Sequence, residues 1–212
     1  MRLRVAGINH NDLLGRDRLW DWLFRMKHLE KAPPAFVAVE YDEKIFRKIR
    51  QQRPRLRMLA EEAWPGSSPS VLKAIEHSLA YEGDLHEGVF PGIETVWLDR
   101  SRKVDDPTIV SEYARDRMAI YKSFAPSGQK TLSNASLRDM SDTAWTRGSM
   151  PRSGGSERDA RFARVILDRL RSECRGWAIV IVGSGHASET EGSMANRLRR
   201  EGIKCQVNQL RP

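Results

Sequence analysis

Cysteine is nearly missing from this chain: Cys174 and Cys205 are the two present in 212 residues. Two thiols without zinc-type spacing exclude a ribbon-like metal site and a disulfide framework, and their expected state is small, buried or half-buried side chains. Long apolar runs are lacking as well. None approaches the ~18–20 residues of a membrane span, so no membrane partner is expected. Met1-Arg2-Leu3-Arg4-Val5 runs straight into a strand-like segment, which leaves no room for a secretory leader. Together these absences predict a soluble chain in a reducing, cytoplasmic setting. Acidic residues are also short, 28 Asp and Glu against 36 Lys and Arg, giving a formal net charge of +8 and a pI near 9.8. That sign suits nucleic acid, acidic lipid or an anionic substrate, and alone it selects none of them.

What is present is ordinary globular material. A 40% hydrophobic content supplies a core, and a mean hydropathy of -0.57 with 30% charged residues predicts a well-solvated surface. The length fits one domain over 1–212, or one domain with an insertion. The most informative stretch is Trp177–His186, WAIVIVGSGH. Its continuous apolar run reads as a strand buried on both faces. Gly183-Ser184-Gly185 then turns the chain, a use for which glycine's tolerance of positive φ is the expected reason. The turn delivers His186 beyond the strand's carboxyl end, where open α/β sheets bind their ligands. The N-terminus repeats the device, because Leu3-Arg4-Val5-Ala6-Gly7-Ile8-Asn9-His10 is a short strand followed by Gly-x-x-His.

Between these two motifs strands and helices alternate. Arg16–Lys31 carries Leu19, Trp20, Leu23, Phe24 and Met26 at helical spacing, and Pro33-Pro34 stops it. Phe36–Glu40 reads as a second strand, parallel to the first through a strand–helix–strand crossover. A helix is expected from about Lys44, broken at Pro54, and another from Ser68 as N-cap with Pro69 at its first position. Glu94–Asp99 reads as a third strand and Pro107–Lys122 as a loose helix. Phe124–Gly155 lacks clear periodicity and is expected to be a lid or insertion, helical or looped, although Leu132, Leu137, Met140 and Trp145 give it apolar content. Ser156-Glu157-Arg158-Asp159 has the form of a capping box opening a helix, and Ser188-Glu189-Thr190-Glu191 repeats it before the last one. Ile203–Leu210 is the expected final strand. The alternation predicts an α/β fold with a mostly parallel central sheet flanked by helices.

Candidate chemistry collects at the strand ends. His10, His186 and Glu40, the last residue of the second predicted strand, make two imidazoles and a carboxylate at one edge. Such a trio is a ligand set for zinc or a non-haem metal with open positions. It can equally activate water without metal, with one histidine as general base and the carboxylate orienting it. Asp42 is either a neighbour of the site or the N-cap of the next helix. Arg100, after Asp99, either orients Glu40 or makes a surface ion pair. Glu157 and Arg158 have no part in capping and can project into the crevice. Glu82, Asp84, His86 and Glu87 cluster acids with an imidazole and read either as a lid contribution or, by default, as a solvated loop; His28 and His77 lack ligand spacing. The basic run Lys44–Arg57 spreads around its helix and has no interleaved aromatics, which favours a solvated face over a nucleic-acid surface.

The ordered set Gly7–His10, Val39-Glu40-Tyr41-Asp42, Leu98-Asp99-Arg100, Glu157–Asp159 and Gly183–His186 resembles the TraB/TIKI family, which is grouped with erythromycin esterases and ChaN-like haem-iron-binding proteins. The resemblance implies an erythromycin-esterase- or ChaN-like α/β domain with both G-x-x-H histidines and a glutamate in one cleft. It implies a peptidase- or esterase-like hydrolase acting on a peptide or ester. The expected catalysis is divalent-metal dependent, with Mn or Co in relatives and Zn also suited to the trio, and metal-free, His-activated water is the alternative. By the same implication His10, Glu40 and His186 are catalytic residues or metal ligands, and Asp42, Arg100, Glu157 and Arg158 support them. Two further expectations compete: a non-catalytic protein keeping the cleft for a ligand, metal or haem, and a basic protein binding nucleic acid through Lys44–Arg57 and Arg197, Arg199 and Arg200.

Overall fold

The computed structural model describes residues 2–99, 112–148, 157–172 and 176–212. It has the expected α/β architecture, a five-stranded sheet with every strand pair parallel and helices on both faces. The strands are β1 (Arg2–Ile8), β2 (Val37–Val39), β3 (Thr95–Trp97), β4 (Trp177–Gly183) and β5 (Lys204–Gln209). They lie in the order β3-β2-β4-β1-β5. The crossover from β1 therefore leaves a slot, which β4 fills between β1 and β2. Every residue of β4 is buried, as its unbroken apolar run requires.

Two strands, β2 and β3, are shorter than the sequence suggests. β2 ends at Val39, so Glu40 is the first residue past the strand rather than its last. β3 likewise keeps only Thr95–Trp97 of the six residues expected.

One face of the sheet is covered by α1 (Gly15–Leu29), whose Leu19, Trp22, Leu23 and Met26 follow the i, i+3, i+4, i+7 rule and pack on Ile8, Val39 and Ile181. Trp20 and Phe24, expected on that inner face, are 37% and 49% exposed instead, because Trp22 takes the position facing the sheet. The opposite face carries α7 (Glu157–Ser172) and α8 (Met194–Arg200), with Phe162, Ile166, Met194 and Leu198 against Val5, Ala38 and Val180. The start of α8 corrects the second capping box: Ser193, not Ser188, accepts the first-turn N–H, from Asn196. Ser156, the expected N-cap of α7, lies outside the described residues.

A separate apolar cluster joins α2 (Glu43–Arg50), α3 (Arg53–Ala63), α4 (Pro69–His77), α5 (Tyr113–Phe124) and α6 (Asn134–Gly148). Within the segment read as an aperiodic insertion, α6 is a packed helix, and Leu137, Met140, Ala144 and Trp145 are buried. No helix among the described residues is long and apolar enough to cross a membrane.

Candidate functional site

Strand order alone explains why residues from distant parts of the chain meet. β2, β4 and β1 are adjacent and parallel, so the segments leaving their carboxyl ends emerge side by side. Ile8 pairs with Gly183 and Val39 with Ile181, which brings the three ends level. Glu40, His10 and His186 each follow one of these ends.

They form a chain of alternating acids and imidazoles. Glu40 sits in the middle, with Oε2 at 3.2 Å from His10 Nε2 and Oε1 at 3.4 Å from His186 Nε2. Each ring is backed on its other nitrogen by a buried carboxylate. His10 Nδ1 donates to Glu82 Oε1 over 2.6 Å, and His186 Nδ1 donates to Asp159 Oδ1 over 2.8 Å. The order is thus Glu82–His10–Glu40–His186–Asp159. A carboxylate behind each imidazole fixes its tautomer and orientation, so both Nε2 atoms face the centre. Glu40 also accepts from Gly183 N–H and pairs with Arg158 Nη1 at 3.0 Å. Arg158 is itself steadied by Asp99 at 2.8 Å.

Burial alone would push the His10 imidazolium toward losing its proton. The Glu40 charge and the bonds to Glu40 and Glu82 outweigh that and hold His10 well above its ordinary range. His186 behaves alike: burial pushes it down, but Asp159 and Glu40 bring it up to about 9. Burial would raise Glu40, yet the two rings hold its carboxyl well below the usual range. Burial would raise Glu82 as well, but the bond to His10, the charge of that ring and the Tyr41 hydroxyl together hold it below the usual carboxylate range. At neutral pH the resting chain therefore carries charged rings between charged carboxylates.

Glu82 and Asp159 are the residues the sequence reading missed. Glu82 is 1% exposed, the reverse of a solvated loop residue, since the turn bearing it folds under His10. Of the capping box read at Ser156–Asp159, Ser156 lies outside the described residues. Asp159 Oδ1 accepts the Met194 N–H as well as the His186 ring, tying α7 to α8 through the site. Their trace in sequence is an acid beside apolar neighbours, which pattern alone does not separate from a cap or a loop.

The expected supporting residues divide. Arg158 is in the site. Asp42 caps α2, accepting from Lys44 and Ile45 N–H. Glu157 is exposed at the start of α7. Arg100 lies outside the described residues. His86 is buried against Thr95 Oγ1 at 2.8 Å, away from the chain of rings. Several cations of the basic run are held within the protein: Arg47 by Glu43, Arg57 by Glu61 and Glu76, and Arg53 by backbone carbonyls. Arg199 and Arg200 pair with Glu189 and Glu191.

The glycines of the second G-x-x-H are not in the left-handed region, contrary to the conformational reason first expected for them. Gly183 is required by proximity: a Cβ there would lie 3.0 Å from His10 Nε2 and 3.1 Å from Glu40 Oε2. A Cβ on Gly185 would meet nothing within 4 Å. Gly183→Ala should therefore cost about 1–3 kcal/mol of stability through overpacking and loosen the His10–Glu40 contact. Gly185→Ala should leave both nearly unchanged. Urea unfolding of the two variants side by side checks the contrast, and equal losses would contradict it.

As a cation cage the trio is poorly disposed. A carboxylate offers about four lone-pair directions, and those of Glu40 face Gly183 N–H, His10, Arg158 and His186. Among the described residues no group of three or more His, Cys, Asp or Glu side chains is arranged to hold a metal ion. The arrangement fits proton transfer better, because two rings share one acceptor.

No family model matches the chain, and no curated protein matches it. Among solved structures, the chain is similar to that of the type III effector HopBA1, with 16% identity over 97% of this chain and 75% of that one. The TM-score is 0.33, a likeness too loose to bear on fold or activity.

Proposed function

We propose that this protein is a cytoplasmic hydrolase that cleaves an ester or peptide with water activated between His10 and His186, as the TraB/TIKI resemblance implies. The observation that carries this reading is the pair of carboxylate-backed imidazoles whose Nε2 atoms converge on Glu40. His10 is the base, because its side chain is 31% exposed against 17% for His186 and water reaches it more easily. His10 Nε2 takes a proton from water as the hydroxyl oxygen bonds to the substrate carbonyl carbon. The oxyanion so formed is stabilised by the Arg158 guanidinium. The carbon–oxygen or carbon–nitrogen bond then breaks, and the leaving group takes its proton from the His186 imidazolium. Glu40, bonded to both rings, returns the proton from His10 to His186 and resets the site. No metal takes part in this sequence.

The active form carries one acid and one base across a coupled pair of rings. A protonated His10 accepts nothing, so turnover rises as pH increases above neutrality. It falls again once the pair of rings has lost its second proton. The test is turnover of simple activated esters and short peptides across pH, before and after exhaustive chelation. A bell displaced to the alkaline side and unchanged by chelation supports the reading. Loss of turnover on chelation overturns the metal-free step, and tight uptake of a metal or haem with no turnover overturns the hydrolase.

A further inference from the structure

Glu82 is a buried anion with little to keep it where it is. Its Oε1 meets the His10 ring at 2.6 Å, while its Oε2 has no well-formed hydrogen bond, although the Tyr41 hydroxyl lies beside the carboxylate. Such a group gains by moving to water unless its backbone is held. The backbone around it is a poor holder. Residue 82 sits in a single turn of 3-10 helix, Tyr81–Gly83, and the residue just before that turn, Ala80, has φ 52° and ψ 38°. The left-handed conformation is disfavoured for alanine, whose Cβ crowds the following carbonyl. The turn's own anchor is the buried Tyr81 ring, whose hydroxyl reaches Asn9 O at 3.4 Å.

We infer that Arg53 is the residue that positions Glu82, and through it the His10 ring, by clamping both ends of this strained turn. Arg53 belongs to the basic run, yet its side chain is only 13% exposed, unlike a solvated cation. Nε donates to Leu79 O at 2.8 Å and Nη2 to Ala80 O at 3.1 Å, ahead of Glu82. Nη1 lies 3.6 Å from Asp84 Oδ2, just after it, and Arg50 Nε meets the same oxygen at 3.2 Å. A planar guanidinium can span three such acceptors at once, which an ammonium cannot. Arg53 touches neither ring nor the centre of the site. It acts by fixing where Glu82 stands.

The inference concerns the arrangement around His10 and not turnover, so it stands or falls apart from the hydrolase reading. The test is NMR of the full chain labelled with 15N-histidine. The short bonds to Glu82 and Asp159 should give two low-field Nδ1–H signals, one from His10 and one from His186, the second serving as internal control. Arg53→Gln should remove the His10 signal and leave that of His186. Adding Ala80→Gly, which relieves the left-handed turn, should restore the His10 signal in part. If Arg53→Gln fails to fold, Arg53→Lys decides, since it keeps charge and stem and should weaken only the His10 signal. An unaltered His10 signal in the folded Gln or Lys variant overturns the inference, as does loss of both signals together. Failure of Ala80→Gly to restore any signal overturns it too, because a clamp on a strained turn must be needed less once the strain is gone.

Discussion

Replacing Glu40 with glutamine is expected to reduce turnover by about 10²–10⁴-fold, the range found for removal of acid–base groups, while the protein stays folded. Glutamine has the same shape but can accept on one side only. At Glu40 both oxygens face donors, Gly183 N–H and His10 on Oε2, Arg158 and His186 on Oε1. Whichever way the amide turns, its NH2 group meets donors where an acceptor stood. The proton path between the rings is then cut, and so is the charge that holds both imidazoles protonated. Glu40 is the chief influence raising His10 against burial, and one of two raising His186. The variant should therefore show both a lower maximum and a pH profile moved toward acid. A lower maximum with an unmoved profile would mean that Glu40 acts by packing alone.

How far this site is legible in sequence follows from what each residue depends on. His10 and His186 are readable because each stands on a local signal, an apolar strand run closed by Gly-x-x-His. Glu40 is readable from the apolar run before it, off by one position, since β2 ends at Val39. That these three meet needs the order β2-β4-β1, which alternation of strands and helices implies only as a class. Glu82 and Asp159 were not readable as ring partners. Their position depends on a turn with a left-handed alanine and on a bond from α8, and neither leaves a periodic trace. Asp42 shows the opposite case, a local cap read correctly as one of two alternatives. Within the insertion expected to be helical or looped, the helix α6 was not placed, because its inward residues are interspersed with polar Ser and Thr and rely on partners far away in sequence.

One of those partners gives the second large expectation: Asp12→Ala should destabilise the protein by about 3–5 kcal/mol, the cost of breaking a buried ion pair by removing one partner. The Asp12 side chain is 1% exposed and fully engaged. Oδ1 accepts from Leu14 N–H at 2.9 Å and from the Ser141 hydroxyl. Oδ2 accepts from Trp145 Nε1 at 2.9 Å and pairs with Arg18. Alanine would leave an indole N–H, a hydroxyl and a guanidinium facing a void, each without its acceptor. Arg18 could turn only toward Ser141 Oγ, already 3.0 Å away. The same contacts hold α6 against the loop after β1, where Asn9 Nδ2 also donates to Ala144 O. The loss should therefore appear twice, as a lower urea midpoint and as faster amide exchange in Asn134–Gly148. Asp12→Asn, which keeps an acceptor for Leu14 and Ser141 but presents an amide to Arg18 and Trp145, should fall between. A midpoint for Asp12→Ala within about 1 kcal/mol of the wild type would mean that α6 is held by its apolar face alone, since surface substitutions typically change stability by less than that.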